Sequence, residues 1–99
     1  MAARPLDIHP AALAELEATV SWYLERSETA AARFVAEVDE AIALVTESPS
    51  SWPGAEHSTR KFVLQRFPFA IVYREKATAV QVLAIAHGYR RPGYWKDRL

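Results

Sequence analysis

The chain has 99 residues, of which 51% are hydrophobic and 11% aromatic, so the composition excludes a disordered segment and predicts one folded domain over residues 1–99. It has no cysteine, which excludes disulfide bonds and thiolate zinc sites, and the first residues lack the apolar run of a signal peptide or membrane span, so we expect a cytoplasmic protein. The net charge of zero is divided unevenly, since residues 1–56 carry three basic and ten acidic side chains, and residues 57–99 carry nine basic and two acidic.

The N-terminal residues predict a short strand followed by a first helix. Leu6-Asp7-Ile8 alternates apolar and polar side chains as an edge strand does, and Pro10 suits the first position of a helix. From residue 11 to about residue 26, apolar side chains recur at steps of three and four, which is typical of an amphipathic helix. This stripe consists of Leu13, Leu16, Val20 and Tyr23. We expect Glu15 and Glu17 on the exposed side of the helix, without a catalytic role.

A second helix is predicted from the residues after Ser27 to about Ser48. Ser27 offers a capping oxygen at its start, and Pro49 ends it. Its apolar stripe consists of Phe34, Val38, Ile42 and Val45. Because the connection between the two helices is short, we expect an antiparallel hairpin whose apolar stripes face the same core. Residues 48–54 are rich in Ser, Pro and Gly and predict a loop.

The period then changes from helical to strand-like. Residues 60–67, 69–74 and 79–87 are rich in Val, Ile, Phe and Tyr, which predicts three antiparallel strands joined by short turns. The third is apolar on both faces, so we expect it inside the sheet. The order of elements predicts an α+β fold, in which an antiparallel helical hairpin packs on a three- to four-stranded, mainly antiparallel sheet. We expect the N-terminal strand to return and pair within this sheet.

Reactive side-chain types are concentrated after the last strand, in residues 87–96. This stretch contains one imidazole, three cations and three aromatic rings, namely His87, Tyr89, Arg90, Arg91, Tyr94, Trp95 and Lys96. Guanidinium groups bind phosphate, aromatic rings stack on bases, and His or Tyr transfers a proton, so the stretch predicts a phosphate-facing surface. The structural alternative is that His87 is only hydrogen-bonded at the strand end, that the arginines pair with carboxylates of the acidic helices, and that Trp95 closes the core.

Several other kinds of site find no support in the sequence. The histidines His9, His57 and His87 have no partner at helical spacing, so we expect no metal. There is no Walker loop, no GxGxxG and no GxSxG, so we expect no cofactor and no serine hydrolase. The basic half of the chain points to a negatively charged partner, nucleic acid or an acidic protein segment, unless the acidic helices neutralise it within the fold.

The order of elements and two motifs resemble the RelE/ParE superfamily of toxins. The motifs are FPFAIVYR, residues 67–74, and AHGYRRPGYW, residues 86–95. The resemblance spans nearly the whole chain and implies the toxin of a type II toxin–antitoxin module. A cognate antitoxin with an acidic, amphipathic C-terminal segment would neutralise it in a hetero-oligomer. The antitoxin contacts implied on this chain are Lys61, Arg66, Tyr73 and Arg74.

The resemblance leaves the target open between two alternatives. ParE-like toxins trap DNA gyrase with its cleaved DNA, whereas RelE-like toxins cut messenger RNA on the ribosome without a metal. RelE-like nucleases tend to carry an arginine where this chain has Ala70, which favours gyrase. The implied target or phosphate contacts are Arg66, Arg90, Arg91 and Lys96, and the catalytic residues of a nuclease would be His87, Arg90 and Tyr94. An inactive homologue that only binds its antitoxin is a third alternative.

Overall fold

The computed structural model describes residues 3–99. The first two residues of the predicted domain lie outside the described residues. They belong to the N-terminus that we expect to lack a signal peptide. The strands are β1 (Leu6–Ile8), β2 (Arg60–Val63), β3 (Phe69–Glu75) and β4 (Val80–His87), and the helices are α1 (Pro10–Leu24) and α2 (Glu28–Glu47). Their order and the α+β class are those predicted from the sequence. Neither helix of the described part has the length and apolarity needed to span a bilayer.

The four strands form one mixed sheet in the order β1-β4-β3-β2. β1 runs parallel to β4, with Leu6 opposite Val80 and Ile8 opposite Val82, whereas the other neighbours are antiparallel. The N-terminal strand therefore joins the same sheet, and β4 lies inside it, as predicted. Residues 80–85 of β4 are buried, which explains why this strand is apolar on both faces.

β2 is shorter than predicted, since it ends at Val63 and not at residue 67. The backbone N–H groups of Gln65 and Arg66 donate to the Glu37 carboxylate of α2, at 2.6 and 3.4 Å. These groups are therefore held by a helix and not by a neighbouring strand. The prediction was wrong here because the contact comes from a residue 28 positions earlier in the chain.

Both helices begin at a side-chain cap. The His9 imidazole accepts the Ala11 N–H at 3.0 Å at the start of α1, and the Ser27 hydroxyl accepts the Ala30 N–H at 3.1 Å at the start of α2. Glu28 in the first turn of α2 interacts favourably with the helix dipole. The short connection between Leu24 and Glu28 produces the predicted helical hairpin.

The helices cover one face of the sheet and bury the main core against it. Phe34 and Val38 of α2 pack in one buried cluster with Ile71 of β3. Tyr73 of β3 belongs to the same cluster and is fully buried, and its hydroxyl donates to the carbonyl of Pro49 at 2.6 Å. This hydrogen bond ties the sheet to the turn that follows α2.

The buried stripe of α1 differs from the predicted one at Leu13, while the other three members pack against the main core as predicted, namely Leu16, Val20 and Tyr23. Ala12 is fully buried, whereas Leu13, expected in the stripe, is 42% exposed. Glu15 reaches β4, where its carboxylate accepts the Ile85 N–H at 3.1 Å. Because consecutive helical residues are about 100° apart, turning Ala12 and Glu15 to the sheet moves Leu13 outward.

The C-terminal residues cover part of the opposite face of the sheet. Val72, Leu83 and Ala84 form a second, smaller core, and Trp95 packs on it with only 5% of its surface exposed. Val63 at the β2 side remains 64% exposed. The chain after β4 is therefore part of the fold. It leaves this face of the sheet accessible beside β2, and we term that accessible part the open face.

Candidate functional site

The C-terminal segment, residues 88–99, leaves β4 through a series of backbone turns. The N–H of Arg90 donates to the carbonyl of His87 at 3.0 Å, and the N–H of Tyr94 donates to the carbonyl of Arg91 at 3.1 Å. Gly93 has a φ of 73°, in the left-handed region where a glycine is needed. These turns give the predicted reactive stretch a defined backbone path.

Three predicted site residues, His87, Arg90 and Tyr94, line one groove between α1 and the end of β4. This groove, termed the α1 groove, has a volume of about 510 Å³. Its lining is mostly apolar and includes Trp22 of α1 and Phe69 of β3. Nowhere in residues 3–99 do three or more His, Cys, Asp or Glu side chains come together as a metal site would require. The groove combines aromatic rings with one cation, one imidazole and the carboxylate of Glu15.

An ion pair at the α1 groove joins α1 to the C-terminal segment. Arg98 donates to both oxygens of the Glu15 carboxylate, at 2.8 and 3.1 Å, and the Tyr94 hydroxyl donates to Oε2 of Glu15 at 2.7 Å. The Glu15 and Arg98 side chains are only 18% and 17% exposed. These three residues are termed the Glu15 cluster. The expectation that Glu15 lies on an exposed face was wrong, because its carboxylate is turned toward β4.

The Glu15 cluster also occupies the backbone edge of β4 beyond β1. The pairing of β1 with β4 stops at Val82. Further along, the Ile85 N–H donates to Glu15 at 3.1 Å, and the Leu83 carbonyl accepts a hydrogen bond from Arg98 at 3.0 Å. Side chains therefore satisfy the backbone groups that a longer β1 would have paired.

The Tyr94 hydroxyl is held as a hydrogen-bond donor. Burial raises its pKa above the ordinary value, and the hydrogen bond to the Glu15 carboxylate raises that pKa further. The hydrogen bond to Glu15 also raises the pKa of Arg98. At neutral pH the Tyr94 phenol is therefore neutral and Arg98 is a guanidinium, and Tyr94 is a poor general base.

His87 and Arg90 are held by aromatic neighbours. The Nδ1 atom of His87 accepts the Tyr89 N–H at 3.1 Å, so the neutral ring carries its proton on Nε2. The ring packs edge-on against Phe69, with 5.0 Å between the ring centroids. The Arg90 guanidinium lies over the Tyr94 ring, with its Cζ atom 4.0 Å from the ring centroid.

The predicted target-binding cations lack carboxylate partners in the described structure. Within residues 3–99, no carboxylate oxygen lies within 4.0 Å of a charged nitrogen of Arg90, Arg91 or Lys96. All three side chains are exposed. The alternative in which the acidic helices pair with Arg90 and Arg91 is therefore not the arrangement found.

The structure places the predicted antitoxin contacts in different surroundings. Lys61 lines a second groove, of about 400 Å³, on the open face of the sheet. Arg66 lines a different groove beside α2. The Nε atom of Arg74 donates to the side-chain carbonyl of Gln81 at 2.8 Å. Tyr73 is fully buried, so its side chain cannot meet a partner unless the core opens, and this part of the prediction is corrected.

Sequence reasoning misses Glu15 and Arg98 as members of the site. A signal for Glu15 does exist, because Ala12, Glu15 and Thr19 follow one another at helical steps of three and four beside the apolar stripe. Arg98 has no comparable signal, since its partner lies 83 residues away in the chain.

Comparisons with known proteins point to one family. The sequence model of the family described as "ParE toxin of type II toxin-antitoxin system, parDE" matches residues 6–92. The candidate toxin Y4kP of Sinorhizobium fredii is 37% identical over 71 residues, which cover 70% of this chain and 73% of Y4kP. A solved structure described as a chromosomal ParDE toxin–antitoxin system from P. aeruginosa has the same fold, with a TM-score of 0.74 and 24% identity over 85% of this chain and 95% of that chain. Because the family match covers all four strands and both helices, this chain belongs to the ParE toxin family of type II toxin–antitoxin systems.

Proposed function

We propose that this chain is a toxin that poisons DNA gyrase, and that a cognate antitoxin neutralises it by covering the cations Arg66 and Arg90. The observation that carries the proposal is the match to the ParE family over residues 6–92. Poisoning by trapping gyrase on cleaved DNA requires a binding surface and no chemistry by the toxin itself. Fold likeness to the P. aeruginosa ParDE system supports the same kind of assembly with an antitoxin.

The surface proposed to contact gyrase with its cleaved DNA is the exposed basic part of the C-terminal segment. Arg90 and Arg91 are exposed, and both line the groove on the open face, while Arg90 also lines the α1 groove. Guanidinium groups without carboxylate partners bind phosphate oxygens and acidic side chains in bidentate geometry. Lys96 adds a further exposed cation to the same segment.

An endoribonuclease is the second candidate, because His87, Arg90 and Tyr94 converge on the α1 groove. Cleavage by a ribose 2′-hydroxyl needs a general base, a general acid and a cationic clamp. Tyr94 does not suit the role of base, since its hydroxyl donates to Glu15 and its pKa is raised. Position 70, where RelE-like nucleases tend to carry arginine, holds a buried alanine, Ala70. We therefore favour gyrase.

The antitoxin is proposed to bind through an acidic, amphipathic segment that is disordered when free and orders on the toxin. Carboxylates of this segment would pair with Arg66 and Arg90, which have no carboxylate partner within residues 3–99. Its apolar side chains would pack in the adjoining grooves. The complex would be a hetero-oligomer in which the toxin cations are masked.

Expression of the chain without an antitoxin, under a tightly controlled promoter, tests the target. We expect growth arrest with induction of the DNA-damage response and with intact transcripts. With purified components, the chain should inhibit supercoiling by gyrase and increase the amount of cleaved DNA. The double variant Arg90→Ala, Arg91→Ala should require about tenfold more protein for half-inhibition, since charge-assisted contacts are lost.

Arg33→Ala is the matched control, because it removes an exposed arginine from α2, away from the C-terminal segment. It should inhibit gyrase as the unmodified chain does. Cleaved transcripts with a rapid halt of translation, and no effect on gyrase, would overturn the proposal in favour of the nuclease. Normal growth at full expression would show that the chain is not toxic, and the inactive homologue that only binds its antitoxin would then be the remaining alternative.

A further inference from the structure

We propose that Glu15 is a positioning residue, which holds the C-terminal segment against α1 and thereby places Arg90 at the α1 groove for contact with the target. The inference rests on the proposed function, because Arg90 is one of the cations assigned there to the target. The structural path runs from Glu15 through Tyr94 to Arg90.

The first step of this path is the attachment of the C-terminal segment to α1. Tyr94 and Arg98 bind the Glu15 carboxylate with three hydrogen bonds between 2.7 and 3.1 Å. The intervening Trp95 packs on the second core, formed with Val72 and Leu83. Neighbouring residues of the segment therefore attach to two different parts of the fold, and Glu15 provides the attachment to α1.

The second step joins Tyr94 to Arg90. The Arg90 guanidinium lies over the Tyr94 ring at 4.0 Å, and the Arg98 guanidinium approaches the same ring, with its Cζ atom 5.2 Å from the centroid. Since no carboxylate within residues 3–99 pairs with Arg90, the ring is the contact that orients this side chain. A change in the position of Tyr94 is therefore expected to move Arg90.

The third step concerns charge. Arg98 binds both oxygens of Glu15, so the carboxylate is already neutralised by an internal cation. Arg90 lines the α1 groove together with Glu15, so without Arg98 an ion pair of Arg90 with Glu15 would withdraw this guanidinium from a partner. Arg98 therefore allows Glu15 to fix Tyr94 while Arg90 remains available for binding.

Glu15→Gln tests the inference, because it keeps the size of the side chain and removes its charge. In hydrogen exchange, the amides of residues 94–99 should exchange about tenfold faster, as loss of a charge-assisted interaction predicts, with smaller changes in α2. In NMR spectra, the upfield shift that the Tyr94 ring imposes on the Arg90 side-chain protons should collapse. The matched control, Glu17→Gln, changes an exposed carboxylate of the same helix and should leave both signals as they are.

A double-mutant cycle separates positioning of Arg90 from a general structural role. If Glu15 acts through Arg90, Glu15→Gln should weaken gyrase inhibition about tenfold in the unmodified chain and add little to Arg90→Ala. Additive losses, or unchanged exchange and an unchanged Arg90 shift in Glu15→Gln, would overturn the inference. Tyr94→Phe keeps the ring and removes only the bond to Glu15, so it repeats the test if Glu15→Gln does not fold.

Failure of the proposed function has a different signature. If the unmodified chain does not inhibit gyrase, the proposed target is wrong. The exchange and NMR measurements do not involve gyrase, so they still decide whether Glu15 positions the segment and Arg90.

Discussion

The Tyr73 hydroxyl is the buried polar group on which the junction between β3 and the turn after α2 depends. It donates to the Pro49 carbonyl at 2.6 Å. Burial raises the pKa of Tyr73 to about 12, while Arg60 lowers and Glu75 raises it by charge. The folded chain therefore favours the neutral phenol more than the unfolded chain does. This contribution to stability is complete below about pH 10 and is lost as the pH rises through about 12.

Tyr73→Phe should remove both the hydrogen bond and the pH dependence that accompanies it. We expect the free energy of unfolding to fall by about 1–2 kcal/mol near neutral pH, because the buried carbonyl loses its donor. Between about pH 10 and about pH 12, stability should decline less steeply than in the unmodified chain. Urea unfolding at a series of pH values measures both effects. Tyr89→Phe, at a residue that is 95% exposed, is the control, and equal behaviour of the two variants would contradict the assignment.

Individual site residues differ in how far the sequence predicts them. His87, Arg90 and Tyr94 are found because they lie close together in one unusual stretch after a strand. Glu15 and Arg98 are missed because their ion pair forms across 83 residues, and no local pattern encodes such a distance. The sequence therefore predicted the segment of chain that contributes to the candidate site. It did not predict that α1 holds this segment.

At the scale of elements, periodicity was sufficient to predict the order of strands and helices and the interior position of β4. The helical stripes and the strand-like runs are long enough for the two periods to be distinguished. The length of β2 was not predictable, because Phe67 continues the strand-like run by its residue type, whereas the backbone of Gln65 and Arg66 is held by Glu37. The end of β2 thus depends on tertiary contacts, which the local sequence pattern does not show.

The cap of α2 gives a prediction at this scale. Ser27→Ala should lower the free energy of unfolding by about 1 kcal/mol, because the Ala30 N–H loses the hydroxyl that accepts it. Chemical unfolding near neutral pH measures the change. Ser21→Ala replaces an exposed serine inside α1, where alanine is a better helix former, and should not destabilise the chain. Similar losses in both variants would argue against a capping role for Ser27.

At the scale of the whole molecule, the uneven charge distribution is largely not neutralised within the fold. Of the nine basic side chains in residues 57–99, two, Lys76 and Arg98, form ion pairs with carboxylates of residues 1–56 in the described part of the chain. The remaining basic charge can act on other molecules, with a strength that depends on salt. This arrangement favours a negatively charged partner over internal neutralisation.

Salt dependence of antitoxin binding tests this interpretation. The double variant Arg66→Ala, Arg90→Ala should bind the antitoxin segment at least about tenfold more weakly, and its affinity should vary less with salt concentration. Calorimetric titrations at several salt concentrations measure both quantities. Lys76→Ala, which removes an exposed cation outside the linings of the three grooves, serves as the control. Unchanged affinity in the double variant would rule out masking of these two cations.

Glu15 and Arg98 occupy the edge of β4 beyond β1, and this affects whether the sheet can pair with a sheet of another molecule. A neighbouring molecule that extended the sheet at this margin would first have to break an ion pair and the hydrogen bonds to Leu83 and Ile85. At the opposite margin, Arg60 of β2 is bridged by Gly54. Unpaired strand margins are common starting points of aggregation. Growth of this sheet from molecule to molecule is therefore obstructed along β4 beyond β1 by charged side chains, and at Arg60 of β2 by a loop.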